Sequence, residues 1–366
     1  MKNTFLLAAV RAALFPGIAL CLSLACTSAA TAQPFAKGAD VGWLQQMEAT
    51  GYVFYNDQGV AQDCFQLLKA KGINSIRLRV FVNPSNDKAS GHCSPAEVTA
   101  MAKRATALGF RVMIDFHYSD TWADPGKQAK PAAWASHPFP QLLTDVYDHT
   151  FGTMTALKAA GVTPEWVQVG NEIPGGMLWP EGSTKNFAQL TQLINRGYEA
   201  VKAVSPTSKV IVHLDRGNNG ELYRWFFGNL TRNGGKFDVI GMSYYPYWLK
   251  QDYKQSIDSL QANLNNMVAR YPGKEVMVSE VGGEDTAPQD TYDMLVAVQQ
   301  AVRAVPNHKG LGVFYWEPEG AKSWSGYALS AWGADGKPTA ALNAFLDQPA
   351  PKPMPKPAPK PARRTK

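Results

Sequence analysis

Short runs of β-branched and aromatic residues recur along the chain, separated by longer stretches whose apolar residues return every three or four positions. The runs at Lys37–Val41, Ser75–Val82, Arg111–His117, Trp166–Gly170, Lys209–Leu214, Asp238–Tyr244, Val276–Glu280 and Leu311–Trp316 read as strands. Asp63–Lys71, Pro95–Leu108, Asn186–Val204 and Tyr253–Tyr271 read as helices. Gly72, Gly109, Gly161, Gly273 and Gly310 stand where a helix must stop and the chain must turn into a strand. Eight such units in about 310 residues, with strands too apolar to leave one face in water, predict a single (β/α)8 barrel. An open, doubly wound sheet is the competing architecture. Against it, no G-x-G-x-x-G follows the first strand and no phosphate-binding loop occurs.

Composition narrows the class. With 45% hydrophobic residues, 18% charged residues and 16 Phe, 14 Tyr and 10 Trp, the bulk of the chain is not disordered. Past residue 30, no apolar run approaches the roughly 20 residues that a membrane-spanning helix needs. The formal charge of +6 belongs to the ends. Lys2 and Arg11 are the only charges in residues 1–32, and six Lys or Arg with no acid follow Pro349. The remaining 28 basic and 30 acidic residues leave 33–348 at −2, which does not support a nucleic-acid-binding body.

The ends carry their own signals. Lys2 and Arg11 precede the apolar stretch Ala12–Ala25, and Ala30-Thr31-Ala32 precedes Gln33. That order predicts a secretory signal over 1–32, cleaved near Ala32 and exporting the protein to the periplasm or medium. An uncleaved anchor and a lipid-modified Cys26 are the alternatives. Export leaves Cys64 and Cys93, which either pair, for about 3–4 kcal/mol in the chain-entropy model, or stay as buried thiols. Residues 349–366 alternate Pro with Lys and read as an extended basic tail after a barrel domain spanning 33–348.

In a barrel the chemistry gathers at the C-terminal ends of the strands. Those ends read Asp40, Arg79, His117, Asn171-Glu172, His213 with Asp215, Tyr244-Tyr245, Glu280 and Trp316-Glu317. Glu172 closes the fourth strand in WVQVGNEI, and Glu280 closes the seventh in EVMVSEVGG. Two carboxylates across one mouth suit cleavage of a glycosidic bond. One stays protonated as the acid for the leaving oxygen, and the other stays ionised to attack the anomeric carbon. Asn171 is placed to bond the sugar 2-hydroxyl, while Arg79 and Tyr244 are placed to hold Glu280 ionised. Trp122, Trp179, Trp248 and Trp316 fall in loops on the same face, where they can stack on sugar rings.

The matching stretches are KGADVGWLQQME, GINSIRLRVFVNPS, DFHYSDTWADPGKQ, VGNEIPGGMLWPEG, VIVHLD, GMSYYPYW, VSEVG and GVFYWEP. Together they resemble glycoside hydrolase family 53, the endo-β-1,4-galactanases, over about residues 35–346. The resemblance implies a retaining barrel glycosidase acting on β-1,4-galactan of pectin, expected to work as a monomer without a cofactor. Some bacterial members bind calcium through a late loop, for which this sequence shows no clear ligand cluster, so a calcium site stays open. It implies Glu172 as acid/base, Glu280 as nucleophile, and Arg79, His117, Asn171 and Tyr244 as the supporting shell. Trp316 becomes the platform under the attacked sugar, and Asp40 and Asp215 join the substrate-binding set. Phe81 stands where the family usually has Trp after R-L-R-V, which weakens one expected aromatic contact.

Two rivals remain from other classes. His117, His213 and Asp215 suggest a metal-dependent hydrolase, although the first strand lacks H-x-H and no tight carboxylate–His cluster occurs. A secreted barrel that binds saccharide without cutting it is the other, opposed by the presence of both Glu172 and Glu280.

Overall fold

A computed structural model describes residues 34–346 with the exception of residue 89. The expected signal over 1–32 and the basic tail over 349–366 lie outside the described residues. Eight parallel strands close into a barrel in sequence order: β1 (Ala36–Asp40), β2 (Ser75–Val80), β3 (Arg111–Phe116), β4 (Trp166–Val169), β5 (Lys209–Leu214), β6 (Val239–Tyr244), β7 (Glu275–Val281) and β8 (Gly310–Trp316). The first and last strands pair directly, Asp40 opposite Trp316. The barrel expectation therefore holds, and no sheet edge is left open.

Seven helices make the crossovers: Cys64–Ala70, Pro95–Ala107, Phe139–Ala159, Phe187–Val204, Gly220–Arg232, Ile257–Arg270 and Pro288–Arg303. Their starts are written locally. Ser94 accepts from the Glu97 amide while Glu97 reaches back to the Ser94 amide, and Pro95 fills the first helical position. Asp63 caps Cys64–Ala70 by accepting from the Gln66 amide at 3.0 Å. Four of the five turn glycines adopt positive φ, from 79° at Gly109 to 88° at Gly273. Gly310 does not; there a side chain is excluded because a Cβ would lie 1.8 Å from the Val302 carbonyl oxygen.

Two expectations need correction. The segment read as one helix over Tyr253–Tyr271 breaks at Ser256, giving a short 3-10 turn and then Ile257–Arg270. Ser256 Oγ bonds the Tyr244 hydroxyl at 2.8 Å, so the break is tied to the end of β6. Among the described residues, the only α-helix after β8 is the four-residue Lys322–Ser325, too short to serve as an eighth crossover partner. The six-residue 3-10 segment Ala340–Phe345 takes that place, held to Pro288–Arg303 by the Gln299 side chain donating to the Ala344 carbonyl at 2.9 Å.

Alternation along the strands sorts the interior into layers. At the N-terminal end, Ala36, Met113, Trp166, Ile211, Val239, Met277 and Phe314 form a buried apolar plug. One or two steps further along, the inward positions become polar: Asp40, Arg77, Asp115, Gln168, His213 and Ser243, all buried. The outward residues of the same strands, such as Ile76, Leu78, Val112, Ile114, Val167 and Val169, pack under the helices in the main core. An apolar base under a charged floor fixes which end of the barrel can hold chemistry.

Cys64 and Cys93 are both buried free thiols, so the unpaired alternative is the one found. Among the described residues, no helix is long and apolar enough to cross a membrane.

Candidate active site

One arginine organises the floor. Arg77, fully buried on β2, places one guanidinium nitrogen against Asp40 of β1. The other lies 2.8 Å from Asp115 of β3, 3.0 Å from Asn171 Oδ1 and 2.9 Å from Glu280. Arg77 and Arg79 share the inward face, but they do different work. Arg79 pairs with Glu317 after β8 and lies 4.2 Å from the centre of the Trp122 ring. The expectation that Arg79 steadies Glu280 is therefore replaced by Arg77, one inward position deeper. A long side chain rising from the lower layer reaches the mouth, whereas the one at the strand end leans sideways under the aromatic rim.

Glu280 reaches the cavity through a bulge. Met277 and Ser279 face inward, and Val276, Val278 and Val281 belong to the outer core, so simple alternation would turn Glu280 outward. The pairing of β6 with β7 shifts between Met242 and Ser243, from Met242 opposite Val278 to Ser243 opposite Glu280. The extra residue in β7 brings Glu280 onto the inner side beside Ser279. The Tyr245 hydroxyl then donates to Glu280 at 3.3 Å. Tyr244, expected in that role, points the other way and bonds the Tyr253 carbonyl at 3.1 Å. This is the consequence of alternation by a single residue.

Glu172 stands opposite, beyond β4, with a left-handed backbone (φ 42°) that non-glycine residues adopt at a cost of roughly 1–2 kcal/mol. The surrounding contacts hold it there. The Gln128 side chain donates to the Asn171 carbonyl at 2.9 Å and to the Glu172 carbonyl at 3.2 Å, and the Ile173 amide donates to the His213 carbonyl at 3.0 Å. Burial and then the charge of Glu280 raise the Glu172 pKa well above the usual carboxylate range. Burial also raises Glu280, but Arg77 opposes it there at direct contact. The shared proton accordingly belongs on Glu172.

Burial lowers the pKa values of both neighbouring histidines, which favours the neutral rings. His117 Nδ1 accepts from the Ala123 amide at 3.0 Å, which leaves Nε2–H to donate to Asp115 at 2.8 Å. His213 is bonded to Asn171 and Ser243. With both rings so engaged, the metal-hydrolase rival loses its ligands. Among the described residues, no group of three or more His, Cys, Asp or Glu is arranged to hold an ion.

These groups line one open cavity of about 500 Å³. Of the residues expected there, Glu172, Glu280, His117, Trp122, Asn171, Asp215, Trp248 and Trp316 face it. Asp40 does not: it is buried beneath the floor as a partner of Arg77. Trp179 turns away, its Nε1 donating to the Gly175 carbonyl at 3.0 Å. The rim is aromatic. Trp43 packs edge-on against Trp316 at 5.2 Å, Trp316 against Tyr327 at 4.8 Å, and Trp248 stands 65% exposed at the far side. Tyr327 lines the cavity and was not singled out in the sequence, since it lies well beyond the end of β8; Trp43, just after β1, is buried behind Trp316.

Comparison with known proteins agrees with this geometry. Residues 36–345 match glycosyl hydrolase family 53. The chain belongs to that family. It is 35% identical over 303 residues to an arabinogalactan endo-beta-1,4-galactanase of Humicola insolens, covering 77% of this chain and 89% of the relative. A family 53 catalytic domain from Ignisphaera aggregans superposes with a TM-score of 0.78 at 30% identity, covering 86% of this chain and 97% of that one. A fungal beta-1,4-galactanase structure gives a TM-score of 0.76 at 32% identity, covering 84% and 98%. The chain is thus a glycosidase. Xylanase barrels at 14% identity share only the fold.

Proposed function

We propose that this glycosidase is an endo-acting, retaining β-1,4-galactanase that cuts the galactan side chains of pectin. The observation that carries the reading is the asymmetry of two buried carboxylates facing one cavity: Glu280 in contact with Arg77 at 2.9 Å, and Glu172 with no cation at that range among the described residues. The Glu280 carboxylate attacks the anomeric carbon while Glu172 passes its proton to the departing glycosidic oxygen. A glycosyl ester on Glu280 results. Glu172, now a carboxylate, removes a proton from water; the hydroxide displaces Glu280 and restores both groups.

The substrate class rests on the relatives' names and on the rim. Flat, uncharged sugar rings find aromatic faces at Trp122, Trp248 and Trp316 along an open cavity. Export with Gln33 as the first mature residue belongs to the same proposal, and mass spectrometry of the secreted protein would read that terminus.

The test is reducing-end release from unbranched galactan, run beside mannan, xylan and cellulose. The reading expects galactan to be cleaved at least tenfold faster than the others, because sites that bond a correctly placed hydroxyl discriminate strongly against its epimer. Faster cleavage of mannan or xylan would reassign the substrate. Binding of galactan without new reducing ends would make the protein a saccharide-binding barrel.

A further inference from the structure

Two side chains behind Glu172 take no part in the steps above. Ser243 Oγ lies 2.5 Å from Glu172 Oε1 and 2.8 Å from His213 Nε2. His213 is fully buried, and its other ring nitrogen, Nδ1, lies 3.0 Å from Asn171 Oδ1.

The direction of this chain is set from its far end. The Asn171 amide cannot be turned over: its Nδ2 donates to the Ala123 carbonyl at 2.8 Å, and its Oδ1 accepts from Arg77 and from Gln168, each at 3.0 Å. An acceptor oxygen therefore faces His213 Nδ1, and the proton between them must sit on the nitrogen. The Glu172 amide N–H also donates to Nδ1, at 3.4 Å, which on its own favours the opposite tautomer; the 3.0 Å contact to the Asn171 oxygen is shorter, and we take it to set the proton. A neutral imidazole carries one proton. Nε2 is then bare and accepts from the Ser243 hydroxyl. With its proton directed at His213, Ser243 can only accept from Glu172, and a carboxyl group donates only when protonated.

We propose that Ser243 and His213 are positioning residues that hold Glu172 in its acid form, through a one-way chain of hydrogen bonds running from Glu172 to Asn171. The inference rests on Glu172 being the acid/base. The chain moves no proton of its own. When Glu172 has given its proton to the leaving oxygen, its carboxylate meets a serine lone pair until the Ser243 hydroxyl rotates towards it, which leaves Nε2 without a donor. Reprotonation by the attacking water restores the original chain. The resting state is thereby biased towards the acid before each cycle. The other charged or titratable groups facing Glu172 are Glu280 from β7, Asp215 after β5, Arg77 in the floor, and the hydroxyls of Tyr223 and Tyr245. Those facing His213 are Arg77, Asp115 and His117.

Nitrogen-15 NMR of the histidine rings in the unaltered protein, with the His213 signals assigned by their loss in His213→Gln, reads the tautomer directly. The proposal expects a proton on Nδ1; a proton on Nε2 overturns it. Ser243→Ala then reads the consequence. Losing the acceptor destabilises the acid form, so the basic limb of the kcat/KM profile should move to lower pH by about one unit, a tenfold change in the ionisation constant. An upward shift would mean that Ser243 had been donating to the carboxylate. A uniform fall in rate with the limb unmoved would mean that Ser243 only packs; either result overturns the proposal. If Ser243→Ala does not fold, the tautomer still decides. Failure of the underlying reading has a separate signature: Glu172→Gln would keep cutting galactan whatever the histidine shows.

Discussion

Glu280→Ala should lose galactan cleavage almost completely, and small anions should give part of it back in altered form. Under the proposed roles the substitution removes the attacking carboxylate and leaves a space beside Arg77 and Tyr245 that azide or formate can enter. On an aryl β-galactoside oligomer, azide attacking from that side should yield the α-azide, with Glu172 still supplying the acid. Glu172→Ala should fail differently. Glu280 still attacks, so a substrate with a good leaving group forms the glycosyl ester at a near-normal rate and then stalls, because no base activates water. Azide should now accelerate the second step and give the β-azide. Galactan itself, with a poor leaving group, should be cut about 10²–10⁴-fold more slowly by this variant, the usual worth of general acid help. Product analysis separates the roles. Azides of one configuration from both variants would mean that the two residues are misassigned.

Arg77→Met should damage both stability and turnover. The guanidinium is the shared cation of Asp40, Asp115 and Glu280, all buried. Removing one partner of a buried ion pair typically costs about 3–5 kcal/mol, because the remaining charges have no water to turn to. Denaturant unfolding should show a loss of that order at neutral pH. The pH dependence follows from Asp115. Burial alone would raise its pKa, but Arg77 and then His117 outweigh that and hold it below the ordinary carboxylate range. A depressed folded pKa gives stability above the unfolded value and loses it as pH falls. The deficit of the variant should therefore be near its full size at pH 7 and shrink as pH falls below about 4, through the depressed pKa of Asp115. A deficit independent of pH would mean that Arg77 contributes by packing alone. Arg79→Met, whose partner is Glu317 rather than Glu280, should spare the acidity of the nucleophile.

The barrel was legible in the chain because its strands are buried on both faces and its turns are marked by glycine. The site was legible only to the level of which strand ends matter. Glu172 and Glu280 stood out as carboxylates after apolar strands, and both face the cavity. Their partners were assigned one place off. Taking Arg79, near the end of β2, as the one at work overlooked the reach of Arg77 from the layer below. Tyr244 and Tyr245 are adjacent, and only the pairing shift between β6 and β7 decides which of them meets Glu280. No periodicity announces such a bulge. Ser243 and Gln128 escaped notice for a related reason: each works through one bond to a neighbour's carboxyl or carbonyl group, and nothing in its spacing marks it. Trp179 shows the converse error, a loop tryptophan on the right face whose ring packs on Gly175 instead of the cavity.

Proton NMR of unbranched galactan during the first minutes of digestion tests the central claim in one spectrum. Double displacement through Glu280 predicts that the new reducing ends appear as the β-anomer, with the α-anomer growing in only as mutarotation proceeds. Appearance of the α-anomer first would contradict the double displacement, and with it the assignment of Glu280 as the nucleophile.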